Sequence, residues 1–253
     1  MMPQFKHAAP LTIGLLVALS GSLLGQAQSS PRSLPNISAP IVFNNPTPPD
    51  TGQPGRRSDA GSRGCGESAS ASASDPTSLL ALAPIQESQR GMVVFGKTIA
   101  EYPTFWFYVA HDPSLTATFV LQDQEGYPIY ESNVALPSAS GNLSLTLPAT
   151  VPPLEVGKPY HWFFKLYCES ISPPDFFVDG WIQRETLTPE LTQQLETASP
   201  QQQVRLYAAS GYWHDALSTA AELLGANSEA SDWAELLRAI GLDTVAAEAI
   251  VTP

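Results

Sequence analysis

Between Leu79 and Ile182 the chain alternates apolar and polar residues with a period of two, and glycine and proline interrupt the alternation at short intervals. This pattern is typical of short antiparallel strands joined by turns. Gly126 ends the segment Asp123–Gly126 at a position where a short hairpin needs a positive φ. The predicted strands are Pro103–Val109, Ala117–Gln122, Tyr127–Val134, Asn142–Leu147, His161–Cys168 and Phe176–Gln183. They predict an immunoglobulin-like β-sandwich, with a small barrel as the competing architecture.

After Trp181 the apolar period changes to 3.6, which predicts helices. Thr188 can cap a helix that has Pro189 at its first position, and Ser199 with Gln202 forms the pattern of a capping box. Helices are predicted before Gly211, over Tyr212–Leu224, over Trp233–Ile240 and over 244–250. The predicted fold class is therefore α+β, an antiparallel sandwich followed by a small helical extension. An extension of this size is marginal alone, so we expect it to pack on the sandwich.

The N-terminus carries the pattern of a secretory signal. Lys6 and His7 precede an apolar stretch over Leu11–Leu24, and Gly25–Ala27 supplies small residues for cleavage after Ala27. A membrane anchor is the alternative, but the stretch is shorter than the roughly 20 residues that a spanning helix needs. No later segment is apolar enough to span a bilayer. The sequence predicts an exported protein of the periplasm, the thylakoid lumen or the extracellular space.

The chain divides into four predicted regions: a signal peptide (1–27), a linker rich in proline, serine and glycine (28–78), the sandwich (79–184) and the helical extension (185–253). The linker composition buries too little apolar surface to offset chain entropy. Cys65 and Cys168 are the two cysteines, and an oxidising compartment permits a disulfide between them. Free thiols and a metal site are the alternatives, although two cysteines alone cannot complete a zinc shell.

The charge balance restricts the partners. The 253 residues include 24 acidic and 12 basic side chains, a formal net charge of −12, which provides no general attraction for nucleic acid. Three arginines nevertheless cluster in the linker, namely Arg56, Arg57 and Arg63. They form either a docking patch for an acidic or phosphate-bearing partner, or a tail that pairs with the acidic domain.

No catalytic or metal-binding motif is present in the sequence. His111, His161 and His214 lack metal-ligand spacing, and no zinc-protease, nucleophile-elbow or phosphate-loop pattern occurs. Nothing separates the candidate acid–base carboxylates from ordinary surface acids; these are Glu101, Asp112, Glu131 and Asp179. We therefore expect a protein that is not an enzyme and uses no cofactor or metal.

Aromatic residues occupy both faces of the predicted strands. Alternation places Phe105 and Phe107 on one face of a strand and Trp106 and Tyr108 on the other. A sandwich needs one apolar face per sheet, so something must cover the second face. The helical extension is one candidate, burying Trp106 and Trp181. The alternatives are an aromatic platform for a sugar and a surface for a protein partner, built from Trp106, Tyr108, Tyr167 and Trp181.

Several sequence blocks resemble a known family. They are Arg56–Cys65, Ala100–Val109, Pro152–Phe164, Gly180–Arg184 and Tyr207–Leu217, and in this order they are similar to the cyanobacterial family catalogued as domain of unknown function 928. The resemblance implies an exported cyanobacterial protein and no particular reaction. Gly211–Leu224 also resembles part of a tetratricopeptide repeat, so a single hairpin of that kind is compatible with the helical extension, whereas an array needs about three repeats.

These observations lead to one functional expectation and one alternative. The expectation is an exported, non-catalytic binding or scaffold module of the cell envelope, which contacts another envelope protein through its acidic helical extension. The alternative is a carbohydrate-binding module that holds a polysaccharide on an aromatic sheet face.

Overall fold

The structure is a computed structural model that describes residues 34–50, 55–59, 79–88, 91–168, 174 and 176–252. The predicted signal peptide, Arg63 and Cys65 lie outside these described residues. The described strands are β1 (Ser58–Asp59), β2 (Leu79–Ala81), β3 (Ile85–Ser88), β4 (Gly91–Thr98), β5 (Thr104–Val109), β6 (Thr116–Gln122), β7 (Pro128–Val134), β8 (Gly141–Thr146), β9 (Pro159–Tyr167), β10 (Phe176–Arg184) and β11 (Ile250–Val251). The helices are α1 (Pro189–Thr197), α2 (Pro200–Ala209), α3 (Trp213–Ala226) and α4 (Asp232–Ala239), followed by a short 3-10 helix (Asp243–Val245).

The strands form two sheets, so the fold is α+β with a sandwich-like β portion. The five-stranded sheet has the order β1-β2-β5-β8-β11, and the six-stranded sheet has the order β3-β4-β10-β9-β6-β7. The predicted hairpin joins β6 to β7, and Gly126 in its turn has a φ of +88°. Residues 79–98, which the sequence pattern did not divide into strands, supply β2, β3 and β4.

The main core lies between the two sheets and follows the alternation read from the sequence. Phe105, Phe107 and Val109 point into it from the five-stranded sheet, and each is about 1% exposed. The facing side chains of the six-stranded sheet are Phe119, Leu121, Trp162, Phe164, Leu166, Val178 and Ile182. At the centre of this face a Cβ on Gly180 would lie 2.5 Å from the Trp162 ring, so only glycine fits there.

The helices begin where the capping signals predicted. The Thr188 side chain accepts a hydrogen bond from the backbone N–H of Leu191, and Pro189 opens α1. Ser199 and Gln202 form a complete capping box at the start of α2. Each capping interaction of this kind stabilises a helix by about 1 kcal/mol. Local chemistry therefore sets the start of both helices.

The helix predicted over 244–250 is wrong. This segment forms the end of the 3-10 helix and then β11, which pairs in parallel with β8. The fully buried side chain of Asn142 donates hydrogen bonds to the carbonyl oxygens of Val245 and Glu248, each at 3.0 Å. These bonds, together with pairing to β8, replace the carbonyl contacts that a helix would have made.

The sheets are mixed, which corrects the prediction of a purely antiparallel sandwich. β10 pairs in parallel with β4, with Trp181 opposite Phe95, and β11 pairs in parallel with β8. Residues 55–59 connect the two sheets, because Arg56 bridges to Asp179 of β10 while β1 pairs with β2. The sequence pattern gives no sign of these long-range pairings, because alternation within one strand does not identify the strand that pairs with it.

Candidate binding surfaces

The helices cover the outer face of the five-stranded sheet. Trp106 packs edge-on against Trp233 with ring centroids 4.9 Å apart, and its Nε1 donates to the Ser218 hydroxyl at 3.3 Å. Trp106 and Tyr108 are 9% and 7% exposed. The apolar layer beneath the helices joins these two residues to Leu80, Leu82, Val204, Trp213, Leu217, Trp233 and Leu237. This face therefore lies inside the protein and offers no platform for a sugar.

Trp181 lies on a different surface, the outer face of the six-stranded sheet. It is 4% exposed, groups with Val93 and Phe95, and stacks on the His161 ring with centroids 4.3 Å apart and planes 9° apart. Tyr167, on β9, also belongs to this sheet. The two sheets turn their outer faces in opposite directions, so the four aromatic residues do not form one bed. Alternation shows which residues share the face of one strand, but it does not show which sheet the strand joins.

A buried histidine–aspartate pair lies beside Trp181. His161 Nε2 is 2.8 Å from Asp179 Oδ2, and both side chains are less than one-tenth exposed. Asp179 Oδ1 also accepts a hydrogen bond from the backbone N–H of Arg56 at 3.1 Å. Histidine–carboxylate pairs of this kind orient general bases in hydrolases. Here both partners are buried, and Asp179 holds the Arg56 segment against β10.

The two described arginines of the predicted docking patch make contacts within the chain. The Arg56 guanidinium lies 4.4 Å from the centroid of the Phe177 ring. Arg57 Nη1 donates to the carbonyl oxygen of Ile240 at 2.8 Å, and burial lowers the pKa of Arg57. These two contacts join the segment to a ring and to a carbonyl oxygen, and neither of them is made to an acidic side chain. Arg63 lies outside the described residues.

Cys168 directly follows β9 and packs against the main core. Its predicted partner Cys65 lies outside the described residues, so the disulfide stays a prediction.

Tyr167 borders an open groove of about 800 Å³ on the six-stranded sheet. The groove is lined by Leu115, Thr116, Ala117, Thr118, Asn133, Val134, Ala135, Leu136 and Tyr167. Thr118 donates a hydrogen bond to the Asn133 side-chain oxygen at 3.4 Å, and both residues line the groove with Tyr167. Burial, and then the charge of Glu131, raise the pKa of Tyr167. The groove thus combines one aromatic ring with neutral polar groups.

The outer surface of the helical extension is acidic. From residue 185 to the C-terminus the sequence has ten acidic and two basic side chains. The exposed carboxylates are Glu190, Glu196, Glu222, Glu229, Asp243 and Glu248. Of the two cations, Arg205 is 7% exposed and Arg238 is exposed. The exposed charge of the helices is therefore almost entirely negative.

Two adjacent titratable residues, His214 and Asp215, lie where α3 meets the sheets; from the sequence, His214 is considered only as a metal ligand and Asp215 is not singled out. His214 is buried against the Phe105 ring, and its Nδ1 lies 3.2 Å from the carbonyl oxygen of Thr104. Burial lowers the pKa of His214 to about 4. Asp215 accepts hydrogen bonds from the backbone N–H of Ile99 at 3.1 Å and from the Thr98 hydroxyl at 3.3 Å, and burial raises its pKa to about 6. The signal available in the sequence was an acidic residue in the first turn of a predicted helix.

Within the described residues, no group of three or more histidine, cysteine, aspartate or glutamate side chains is arranged to hold a metal ion. The described helices are all too short or too polar to cross a membrane.

The model of a family described as Domain of Unknown Function (DUF928) matches residues 58–250, about three-quarters of the chain. None of the curated proteins matches the chain.

Proposed function

The chain belongs to the DUF928 family, and we propose that it is an exported, non-catalytic binding or scaffold module of the cell envelope, which contacts a protein partner through its acidic helical layer, that is, through α1–α4 and the residues that join and follow them (185–253). This proposal rests on the difference between the two sides of the helices. Their inner side is fixed on the sheet by the buried Trp106 and Trp233, while their outer side presents exposed carboxylates and a single exposed cation, Arg238.

The charge of this layer favours a basic partner. Like charges that cluster on one surface attract a complementary patch, raise the association rate and reject acidic competitors. Such attraction weakens as salt increases, because ions screen exposed charges over about 8–10 Å at physiological ionic strength. Binding through this surface should therefore decrease between 50 mM and 500 mM salt.

Charge reversal tests the proposal. Glu222→Lys with Glu229→Lys places two cations on the helical layer, and Glu87→Lys with Glu125→Lys makes the same net change on exposed positions of the six-stranded sheet. Each purified variant is cross-linked to envelope proteins, and the captured proteins are identified and compared with those of the wild type. We expect a basic protein that the first pair loses and the control pair retains. Equal capture by both pairs would refute contact through the helices.

A second function, carbohydrate binding, has one observation in its favour. Tyr167, one of the four aromatic residues considered for a sugar platform, borders an open groove, and Thr116, Thr118 and Asn133 supply neutral hydrogen-bonding groups beside it. Aromatic rings with neutral polar neighbours suit the apolar faces and hydroxyls of sugars.

A glycan array separates this candidate from the first. Tyr167→Ala should abolish retention of any bound polysaccharide, whereas Tyr127→Ala, at a 71% exposed hairpin position, should leave it unchanged. Retention that survives Tyr167→Ala would exclude the groove as a sugar site.

We also propose that the protein is exported and that its sandwich is immunoglobulin-like. Cleavage after Ala27 is expected to leave Gln28 as the N-terminal residue of the mature protein, which N-terminal sequencing of the exported form checks. An immunoglobulin-like relationship is supported by the two layers and by the seven antiparallel pairings among the nine pairings of described strands.

A further inference from the structure

Residues 34–50, which we call the N-terminal strap, run across the helical layer without forming a helix or strand of their own. The strap has five prolines in its 17 residues. The sequence pattern assigned this segment to a linker, yet it bonds to α2 and packs against α3. Its contacts to the helices involve its backbone, several apolar side chains and the side-chain amide of Asn44.

The helices bind the strap largely through its backbone. Arg205, on α2, donates hydrogen bonds to the carbonyl oxygens of Ala39 and of Ile37, the latter at 2.7 Å. The Arg205 guanidinium is in turn held by Asp232 at 3.5 Å and Glu235 at 3.6 Å, both from α4. Arg205 is buried, so this is an oriented cation within the protein and not a flexible surface charge. Contacts to carbonyl oxygens select an extended chain and tolerate many side chains.

Two side chains anchor the strap. Ile41 is 8% exposed and belongs to the apolar layer beneath the helices. Phe43 packs edge-on against Trp213, with ring centroids 5.0 Å apart. Two other apolar side chains of the strap face solvent, since Ile37 is 53% and Val42 is 64% exposed. The strap is therefore held as an extended peptide is held in a groove, by alternate side chains.

The end of α2 is shaped for the strap. The backbone N–H of Asn44 donates to the carbonyl oxygen of Ala208 at 3.1 Å, and its side-chain amide donates to that of Ala209 at 2.7 Å. Gly211, with a φ of +82°, lies so close that a Cβ there would be 3.0 Å from the Asn44 carbonyl oxygen and 3.2 Å from Pro46. Glycine is thus required both for its backbone conformation and for the approach of the strap.

The strap leaves part of the groove open. A cavity of about 510 Å³ lies between the strap and α4, lined by Ser38–Ile41 on one side and by Glu235, Arg238 and Ala239 on the other. A longer segment, or one with larger side chains, would fill this cavity if it bound along the same path as the strap.

We propose that the helical layer is a receptor groove for an extended, proline-containing segment of a partner protein, and that the chain's own strap occupies this groove in cis. The favoured segment has a branched aliphatic residue two positions before an aromatic residue, matching Ile41 and Phe43. Prolines suit this role because they keep a peptide extended and reduce the entropy lost on binding. The inference rests on the proposed function for its biological use, but the peptide chemistry of the groove can be tested on its own.

The cis arrangement predicts self-inhibition. A tethered strap competes at an effective concentration on the order of millimolar, so a free peptide at micromolar concentration cannot displace it. Weakening the strap without changing the groove should reveal the binding site.

The probe is a fluorescent synthetic peptide with the sequence of residues 34–50, titrated with the full chain and followed by anisotropy. We expect wild type to bind it at least about tenfold more weakly than Ile41→Ala with Phe43→Ala, which releases the anchors. Adding Arg205→Gln to the anchor variant should abolish binding. The matched control, Ile37→Ala with Val42→Ala, trims solvent-facing strap residues and should behave as wild type.

Two further measurements decide the result. Thermal melting shows whether the anchor variant folds. If it does not, Asn44→Ala replaces it, because this change removes one side-chain hydrogen bond and no core packing. We expect Asn44→Ala to bind the peptide more tightly than wild type. Failure of a folded, strap-weakened variant to bind the peptide would overturn the inference, as would equal binding by wild type. Glu222→Lys with Glu229→Lys should leave peptide binding unchanged, so failure of the charge-based contact is distinguishable from failure of the groove.

Discussion

His214 and Asp215 are adjacent at the start of α3, and burial shifts their pKa values in opposite directions. Burial disfavours the charged form of each side chain, which lowers the pKa of His214 to about 4 and raises that of Asp215 to about 6. For His214 the unfolded chain binds the proton more tightly, so the protein loses stability as the pH falls from about 6.5 to 4. For Asp215 the folded chain binds the proton more tightly, so this stabilisation is complete below about pH 4 and is lost as the pH rises through about 6.

Replacing Asp215 by asparagine should therefore stabilise the protein at neutral pH. Asparagine is uncharged. Its side-chain oxygen can accept the hydrogen bond from the Ile99 N–H, and its NH2 group can donate to the Thr98 hydroxyl, which already accepts from the Ala100 N–H. We expect Asp215→Asn to raise the free energy of unfolding at pH 7.5 by about 1–3 kcal/mol, since one pKa unit corresponds to about 1.4 kcal/mol. The gain should disappear near pH 4. Urea denaturation at pH 4, 6 and 7.5 measures it, and a gain that does not depend on pH would contradict the titration of Asp215.

Replacing His214 by glutamine should make the protein less sensitive to acid. Glutamine carries no proton that titrates in this range, so the variant avoids the loss that wild type suffers between pH 6.5 and 4. At pH 7 we expect a modest destabilisation, because the contact of His214 with the Phe105 ring is lost. The same urea series checks this: the stabilities of variant and wild type should converge on acidification, and parallel curves would argue against a buried, neutral His214.

At the scale of the element, the glycines of β10 and α3 differ in the space that a side chain would find there. A Cβ at Gly180 would lie 2.5 Å from the Trp162 ring and 2.8 Å from Val94, whereas a Cβ at Gly225 in α3 meets nothing within 4 Å. Gly180→Ala should destabilise the protein by about 1–3 kcal/mol through overpacking. Gly225→Ala should stabilise it by up to about 1 kcal/mol, since alanine loses less backbone entropy in a helix. Thermal melting of the two variants makes the comparison, and a neutral Gly180→Ala would show that β9 and β10 can separate.

The helices and the five-stranded sheet depend on one another. Between them lies a continuous apolar layer that includes Trp106, Trp213 and Trp233. A segment of the size of the helical extension is marginal alone, and a sheet with this face uncovered would expose a large apolar surface. Sheet and helices therefore stabilise each other through side chains from both sequence regions.

For the whole molecule, this dependence predicts that the sandwich cannot be isolated. Deletion of residues 185–253 would uncover Leu80, Leu82, Trp106 and Tyr108, and we expect the shortened chain to aggregate. In the full chain Trp106→Ala should cost about 3–5 kcal/mol, as truncation of a large aromatic residue in a core does. Tyr127→Ala, at an exposed turn, is the control. Expression and size-exclusion chromatography test the deletion, and a soluble monomer would contradict it.

The two outer surfaces of the molecule carry different candidate sites. The helical side carries exposed carboxylates and the strap, whereas the six-stranded sheet carries the groove beside Tyr167. Because the two sites lie on different layers, a protein partner and a sugar would not compete directly. The experiments proposed for each therefore report on separate parts of the protein.

Much of this architecture was determined by the sequence alone, since the features involved are local. Alternation separated Phe105 and Phe107, which lie in the main core, from Trp106 and Tyr108, which lie under the helices. Thr188 and Ser199 marked the starts of α1 and α2 through their capping chemistry. Strand alternation and helix capping each depend on neighbours within about four residues, so the sequence pattern was sufficient to predict them.

Only the tertiary structure decided which strands share a sheet and what covers each face. Trp106 and Trp181 look alike in the strand pattern, but their strands belong to different sheets. Residues 244–250 had a helical pattern, yet buried Asn142 and pairing with β8 draw the end of the chain into a strand. The strap has the composition of a linker, and its place on the helices depends on Arg205, more than 150 residues away. These outcomes follow from contacts between distant segments, which replace local preference wherever burial and hydrogen bonding favour a partner far along the chain.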